Sequence, residues 1–324
     1  MRSGAIRSPS FLALTLVVAL ALVGSAPAAS TLDQQQPVLN TNGVSLSVSQ
    51  QNVAQVVVSG VAGLLTEVRV PLECADTATL TLEINDAQGA TPGPDKLARS
   101  TLPGTLFPPP NKPPVLRSVA LAAPPFIPAQ TPFAFILSAS GTGCDVIPGP
   151  TQAASAYPRG DGFYNNPAYP AGSWQPLYGD LAFQTFVDPV CRVPSVVGAL
   201  RPSAESLIRR YGCSLGKVVT RFASKPSGTV LSATPKAGTH LASGSAVNLV
   251  VSRGPRPCVV PNVVGKTLRS AASAISHANC RLGRIKHSLS PRVKPGRIVA
   301  QSPRPGRRLR PRAPVSVVIS RNSR

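Results

Sequence analysis

The chain has 324 residues, with 33 lysines and arginines against 12 aspartates and glutamates, and its formal net charge is +21. A basic excess of this size favours an anionic partner and argues against a cationic one. The length allows more than one domain, and the six cysteines, an even number, favour disulfides in an oxidising compartment.

Residues 1–29 predict a secretory signal peptide. Arg2 and Arg7 precede an uncharged apolar run from Phe11 to Val23, and residues 24–29 offer small side chains for cleavage. A membrane anchor is the alternative, but the run has 13 residues, whereas a spanning helix needs about 20. No later stretch is long and apolar enough to span a bilayer. We therefore expect a secreted chain without a membrane span after cleavage.

Residues 30–188 predict an all-β domain. Apolar and polar residues alternate over 44–48, 55–58, 65–70 and 77–84, and Gly- and Pro-rich turns separate these runs. Period-two alternation indicates strands that bury one face, and an antiparallel sandwich of jelly-roll type buries many of them. The order of features also resembles secreted bacterial jelly-roll modules, which implies a spacing module or a binding module, with carbohydrate as the candidate ligand.

An aromatic loop is the candidate site of this first domain. Aromatic residues are concentrated between Tyr157 and Tyr178, interleaved with Asp161, Asn165 and Asn166. Aromatic faces stack on sugar rings while amides and carboxylates bind hydroxyls, so a glycan site is one interpretation. The alternative, which we favour, is that the loop packs a small core of its own. The candidate glycan-binding residues are Tyr164, Tyr169, Trp174 and Tyr178.

Charge divides the chain near residue 190. Residues 30–190 contain six lysines and arginines against eleven acidic residues, whereas the chain from Cys191 onward contains 25 against one, Glu205. We therefore expect the basic half of the chain to contact an anionic partner.

The basic half is a tandem repeat. Residues 191–198 (CRVPSVVG) align with residues 258–265 (CVVPNVVG), and Cys213 aligns with Cys280. After a one-residue insertion, residues 235–238 and 247–252 align with 303–306 and 315–320. Agreement at glycines, prolines, cysteines and apolar positions together indicates two copies of one module, which we place at residues 189–254 (repeat 1) and 255–324 (repeat 2).

The repeat restricts the disulfide pairing. Equivalent cysteines should close the same bridge in each copy, which gives Cys191–Cys213 and Cys258–Cys280 and leaves Cys74 for Cys144. The chain-entropy model values each repeat bridge at about 3 kcal/mol, a large contribution for a module of this size. A metal site is disfavoured because the cysteines are not in close pairs and no histidine recurs with them.

Each copy predicts one short helix followed by strands. Ala204, Leu207, Ile208 and Tyr211 recur at helical spacing, as do Ala271, Ile275 and Ala278 after a predicted Thr267 cap. Strands are expected over 217–222, 228–233 and 246–252 and over their counterparts in repeat 2.

The repeats resemble PASTA domains, extracellular modules of bacterial penicillin-binding proteins and Ser/Thr kinases. The resemblance lies in residues 193–198, 213–216, 228–230, 235–238 and 244–247 and in 260–265 with its partners. It implies a compact αβββ fold, an elongated array and binding of peptidoglycan fragments or related wall polymers. Repeat 2 departs from the pattern where Gly244-Ser245 becomes Arg312-Ala313, and we expect a less regular turn there.

The same part of repeat 2 predicts the anion-binding surface. Arginine pairs with carboxylates and phosphates through two parallel donors, and a surface charge that only confers solubility is the alternative. Nucleic acid is the poorer partner because the chain is exported and has no readout motif. The candidate residues are Arg304, Arg307, Arg308, Arg310 and Arg312.

The sequence favours binding over catalysis. His240, His277 and His287 all lie in the repeats, where Glu205 is the only acidic residue available to orient one of them. No nucleophile elbow, Gly-rich phosphate loop or metal-ligand spacing occurs, so neither cofactor nor metal is expected. We therefore expect a secreted, wall-associated binder of peptidoglycan or another anionic wall polymer. The alternatives are a carbohydrate-binding adhesion protein that acts through the first domain and, less favoured, a glycosidase.

Overall fold

The computed structural model describes residues 30–39, 46–110, 115–149, 157–166, 168, 170, 173–177 and 179–321. The predicted signal peptide lies outside them. The fold class is the one predicted from sequence, a β-sandwich followed by two small α+β modules.

Two sheets form the sandwich. The first has the strand order β1-β13-β4-β10-β2, with β7 and β8 also paired to β4, and the second has the order β12-β11-β3-β9-β5-β6. The strands are β1 (Thr31–Gln36), β2 (Leu46–Ser47), β3 (Asn52–Val58), β4 (Gly63–Cys74), β5 (Thr79–Gln88), β6 (Thr91–Pro103), β7 (Leu116–Ala120), β8 (Phe126–Ile127), β9 (Pro132–Ser140), β10 (Cys144–Val146), β11 (Gly162–Asn165), β12 (Gln175–Pro176) and β13 (Phe183–Arg192).

The alternation of β9 shows how the sequence produces this packing. Phe133, Phe135 and Leu137 point into the core between the sheets, where the Phe135 and Phe183 ring centroids lie 5.5 Å apart. Ala134 and Ile136 belong to a smaller apolar cluster. Successive residues of a strand face opposite sides of the sheet. Because β9 has apolar residues at both odd and even positions, both faces of the second sheet are covered.

Each repeat consists of one helix, a three-stranded sheet and additional short strands. Repeat 1 contains α1 (Arg201–Arg210), β14 (Ser214–Arg221), β15 (Val230–Thr234), β16 (His240–Ala242) and β17 (Ala246–Ser252). Repeat 2 contains β18 (Cys258–Val259), α2 (Leu268–His277), β19 (Arg281–Leu289), β20 (Ile298–Ser302), β21 (Arg308–Leu309) and β22 (Pro314–Arg321).

The two repeats have the same internal construction. In both, the strand after the helix runs parallel to the last strand, which pairs antiparallel with the strand between them. Ala204 and Ile208 of α1 and Ala271 and Ile275 of α2 are buried against their sheets. The predicted Thr267 cap is present, since its side chain accepts a hydrogen bond from the Ser270 amide.

The three predicted disulfides are present in the structure. Cys191 pairs with Cys213, Cys258 with Cys280, and Cys74 with Cys144. The first two bridges close identical separations of 22 residues. Cys74 and Cys144 face each other directly across the β4–β10 pair, so this bridge fastens a short strand to the first sheet.

Strand β13 belongs to both the sandwich and repeat 1. Its first part lies between β1 and β4, and its last three residues, Val190 to Arg192, pair with β16 of repeat 1. Phe183 is fully buried in the sandwich core, whereas Cys191 is fully buried in the core of repeat 1. A single strand therefore ends one core and begins the next.

Side chains of α1 reinforce this connection. The Arg210 guanidinium donates hydrogen bonds to the Ala129 carbonyl (3.1 Å), the Gln130 carbonyl (3.3 Å) and the Thr131 hydroxyl (3.1 Å). Next to it, the Tyr211 ring lies 5.5 Å from the Phe126 ring. We call this contact region, formed by β8, the 129–131 segment, β13 and the C-terminal end of α1, the seam.

Gly212 is a point of close backbone approach in the seam. A Cβ atom at this position would lie 2.3 Å from the Val190 carbonyl oxygen and 3.1 Å from the Ala62 Cβ. Its φ of +74° also lies in the left-handed region, where L-residues other than glycine are disfavoured by about 1–2 kcal/mol.

We predict that Gly212→Ala destabilises the protein by more than Gly244→Ala. Both glycines have similar φ values, +74° and +77°, but a Cβ at Gly244 would meet nothing within 4 Å. The Gly244 variant should therefore lose about 1–2 kcal/mol from backbone strain alone, and the Gly212 variant an additional ~1–3 kcal/mol from overlap. Denaturant unfolding of the full chain measures both, and equal losses would show that the seam does not restrict this position.

Candidate functional site

The five predicted arginines lie on one stretch of repeat 2 and are all exposed. Arg308 lies in β21, Arg304 and Arg307 precede that strand, and Arg310 and Arg312 form the turn that leads into β22. The β18–β21 pairing places Arg308 opposite Val259. The cluster therefore lies at the end of repeat 2 that faces repeat 1.

Arg312 occupies a backbone conformation that favours glycine. Its φ is +58°, close to the +77° of Gly244 at the equivalent position. The Arg312 amide donates to the Asn279 carbonyl at 2.8 Å, as the Gly244 amide does to the Gly212 carbonyl. The expectation of a less regular turn is therefore wrong: the turn keeps its hydrogen bonds, and the cost of the arginine appears as backbone strain.

The cations of the repeats have almost no carboxylate partner. Among the described residues the ion pairs are Arg69–Glu67, Lys96–Glu83, Arg99–Glu83 and Arg201–Glu205. Only the last of these lies in the repeats, and no acidic residue follows Glu205 in the sequence. Neighbouring side chains therefore leave the positive potential of repeat 2 uncompensated.

A cavity of about 310 Å³ lies where the two repeats meet. This cavity was not predicted from the sequence, because its residues come from distant parts of the chain. The Gly254-Pro-Arg-Pro257 linker was the sequence feature that pointed to a junction between the repeats. Arg256, Arg308 and His277 supply its cationic or basic groups, and the Asn279 amide binds the Arg256 carbonyl. The lining residues are Phe222, Arg256, Pro257, Val259, His277, Ala278, Asn279 and Arg308. We call this the junction cavity.

The aromatic residues of the sandwich do not form one stacking surface among the described residues. Tyr157 and Phe163 are buried, each with 6% of its surface exposed. The half-buried Tyr164 packs against the core between the sheets, whereas Trp174 packs against the smaller cluster that contains Phe163. Tyr169 and Tyr178 lie outside the described residues. These contacts support the interpretation that the loop packs a core of its own.

A buried polar network fixes one end of the sandwich. Asp180 is 2% exposed and accepts hydrogen bonds from the Gln55 side chain (2.8 Å) and the Tyr157 amide (2.6 Å). Gln55 in turn accepts a hydrogen bond from the Leu181 amide. Burial raises the pKa of Asp180, and the two hydrogen bonds partly offset that effect. The carboxylate holds the backbone of this loop, which is a structural role.

The described residues contain no group of three or more His, Cys, Asp or Glu side chains placed to hold a metal ion. Within the same ranges, none of the helices has the length and apolar character that crossing a membrane requires.

The fold and surface of the C-terminal part define a pair of disulfide-closed, basic αβββ modules. Both modules match the family model described as the PASTA domain, over residues 192–253 and 259–321. The chain therefore carries two PASTA domains, as the sequence predicted.

The relatives are similar to this chain only in part. A probable serine/threonine-protein kinase of Clostridium acetobutylicum is 37% identical over 89 residues, which are 26% of this chain and 14% of that protein. Serine/threonine-protein kinase PknB of Mycolicibacterium smegmatis is 30% identical over 114 residues, 35% of this chain and 18% of that protein. The chain thus spans less than a fifth of either kinase, and the similarity lies in the PASTA domains.

Among solved structures, the three PASTA domains of a Ser/Thr kinase from Staphylococcus aureus are 22% identical to this chain. The match covers 40% of this chain and 66% of that one, with a TM-score of 0.35.

We predict that Arg312→Gly stabilises repeat 2 by about 0.5–1 kcal/mol, because relief of left-handed strain exceeds the entropy that glycine adds to the unfolded chain. Arg310→Gly removes the same charge from the same turn, and Arg310 is not among the residues with positive φ. It should be neutral or destabilising. Thermal unfolding of both variants checks this, and equal shifts would mean that charge relief, not backbone strain, controls the stability of the turn.

We predict that Asp180→Asn removes one component of the pH dependence of stability. A carboxyl group with a raised pKa binds its proton more tightly in the folded state, so its contribution to stability falls as pH rises from 3.8, its ordinary value, through the raised pKa. The variant should be less stable overall, since an amide cannot accept both hydrogen bonds, but should lack this fall. Unfolding free energies across pH test it, with the exposed Asp76→Asn as control. A wild-type slope retained in Asp180→Asn would contradict the assignment.

Proposed function

We propose that this protein is a secreted, non-catalytic component of the cell envelope that binds peptidoglycan or another anionic wall polymer through its two PASTA domains. The observation that carries the proposal is the uncompensated positive charge of the exposed arginines in repeat 2. An anionic polymer would supply the counter-charges that the chain itself lacks after Glu205.

The position of the cluster supports this function. Arg308 belongs both to the cluster and to the lining of the junction cavity, which also contains the apolar side chains of Phe222 and Val259. Concave sites that combine apolar walls with a few convergent polar groups are typical of ligand pockets. A peptide stem that carries a carboxylate and short aliphatic side chains has the complementary chemistry. The cavity and the cluster together would therefore bind wall material from two sides of β21.

The three disulfides support export. Structural disulfides persist in oxidising compartments outside the cytosol, and all six cysteines are paired. A location at the cell wall agrees both with this oxidising environment and with the anion-binding surface.

We expect the full chain to sediment with purified insoluble cell wall and to lose most of that binding when the five cluster arginines are replaced by glutamine. Replacement of five exposed cations of repeat 1, Arg209, Lys217, Arg221, Lys225 and Lys236, lowers the net charge equally and is the matched control. A salt series and competition with a defined muropeptide separate recognition from ion exchange, because exposed charge contacts are screened by salt.

Three outcomes bear on the proposal. Loss of binding in the cluster variant alone supports the assigned residues. Equal loss in both variants would contradict the assignment of the cluster and leave only a general charge effect. A wild-type chain that remains in solution at low salt would overturn the wall-binding function.

A further inference from the structure

Strand β19 carries three cations that a β-bulge brings onto one face. Arg281 pairs with Pro314 and Lys286 with Val318 of β22, and the register shifts between Leu282 and Ile285. Two residues, Gly283 and Arg284, therefore oppose Ser316 alone, and the alternation resumes one position later. Partnered residues of a sheet point to the same side, so the side chains of Arg281, Arg284 and Lys286 share the face of Pro314, Ser316 and Val318.

The bulge is held by specific contacts. The Arg284 amide donates to the Ser316 hydroxyl at 3.1 Å, and a Cβ at Gly283 would lie 2.6 Å from that same oxygen. Repeat 1 has the same arrangement, in which the Lys217 amide donates to the Asn248 side chain at 2.7 Å. The bulge is therefore a built feature of both modules, and it determines which residues of the strand share a face.

This face of the sheet is directed toward solvent. The opposite face carries Val315, Val317 and Ile319, which are buried against α2. Arg281, Arg284 and Lys286 are exposed, and among the described strands β19 is an edge strand that pairs with β22 alone. The cations thus form a row along an open edge of repeat 2.

Cationic groups continue the row at both ends. At the end near repeat 1, the Arg281 amide donates to the Ala313 carbonyl, which places Arg281 beside the Arg310–Arg312 turn. At the opposite end lies a cavity of about 410 Å³ lined by Ser290, Pro291, Arg292, Val293, Lys294, Pro295 and Arg321. The nine residues of β19 separate the two ends by about 26 Å at about 3.3 Å per residue. We call this row, from Arg310 through β19 to Arg292 and Lys294, the cationic track.

Repeat 1 has the same backbone but keeps only one cation of the track, Lys217 at the position of Arg284. The positions equivalent to Arg281 and Lys286 are Ser214 and Val219, as their pairing with β17 shows. In the loop that corresponds to the distal cavity, Ser224 and Pro226 stand where repeat 2 has Arg292 and Lys294. The linker residue Gly254 also packs there, where its carbonyl accepts a hydrogen bond from the Ala223 amide. The track is therefore particular to repeat 2.

We infer that the cationic track binds a linear polymer with an anionic group on each unit, phosphate or carboxylate, laid along β19. The inference rests on the proposed function and names the class of its ligand. An isolated small anion would use one end of a row about 26 Å long, whereas a polyanion would contact several cations at once and displace their counterions together. Repeat 2 contains no Phe, Tyr or Trp, the side chains on which bases stack best, and single-stranded nucleic acid is therefore the disfavoured occupant.

The test measures binding of linear inorganic polyphosphate, in a short form and in one long enough to span the track, to the full chain by titration calorimetry. The variant Arg284→Gln/Lys286→Gln removes two cations from the centre of the track. The matched control, Lys266→Gln/Arg269→Gln, removes two exposed cations from the helix side of the same module, so both variants have the same net charge. We expect the track variant to bind long polyphosphate about tenfold more weakly, since each exposed ion pair contributes a few-fold, and the control variant to change little. Poly-L-glutamate replaces polyphosphate in a second arm and distinguishes phosphate from carboxylate polymers.

The outcomes separate this inference from the proposed function. Length-dependent binding that only the track variant weakens supports the track. Equal losses in the two variants, with wall binding of the wild type intact, would overturn the track but leave the proposed function standing. A single-stranded oligonucleotide of equal charge that binds more tightly than polyphosphate would overturn the assignment to a polymer without bases. Absence of binding to wall and to both polyanions would overturn both proposals.

Discussion

The structure depends on the shared strand β13. Its hydrogen bonds to β1 and β4 complete the first sheet of the sandwich, while its last residues pair with β16 and its Cys191 closes the disulfide of repeat 1. Because both cores contain residues of one strand, the orientation of repeat 1 is determined by the pairing register of the sandwich. The Arg210 hydrogen bonds and the Phe126–Tyr211 contact then close the seam around that strand.

The two repeats show how one backbone serves two kinds of junction. At the position after each helix, repeat 1 has Gly212, which allows close approach to the sandwich, and repeat 2 has Asn279, whose side chain binds the linker carbonyl of Arg256. Both residues have positive φ, and asparagine tolerates that conformation better than most non-glycine residues. The same backbone geometry therefore supports tight packing in one place and a side-chain tether in the other.

The sequence was sufficient to predict the elements that depend on local pattern or on repetition. Residues Ala204, Ile208, Ala271 and Ile275 identified both helices by their spacing, and the repeat restricted the six cysteines to one pairing. The seam could not be predicted, because Arg210 and Ala129 are 81 residues apart and no periodicity relates them. The common face of the β19 cations could not be predicted either, since plain alternation would place Arg281 and Arg284 on opposite sides of the sheet. The arginine cluster was visible as composition, but its proximity to the junction cavity required the fold.

The continuity of β13 also has a mechanical consequence. If repeat 2 is held by the wall, any tension on the protein reaches the sandwich along the axis of β13, through repeat 1. That strand lies between β1 and β4, so the load is applied parallel to two hydrogen-bonded ladders, whose bonds run perpendicular to the strand. When the sandwich is held at the opposite end of these strands, rupture requires many of these bonds to shear together, whereas a strand peeled from a sheet edge loses them one at a time. The joint between the acidic sandwich and the basic repeats therefore resists force applied in this direction.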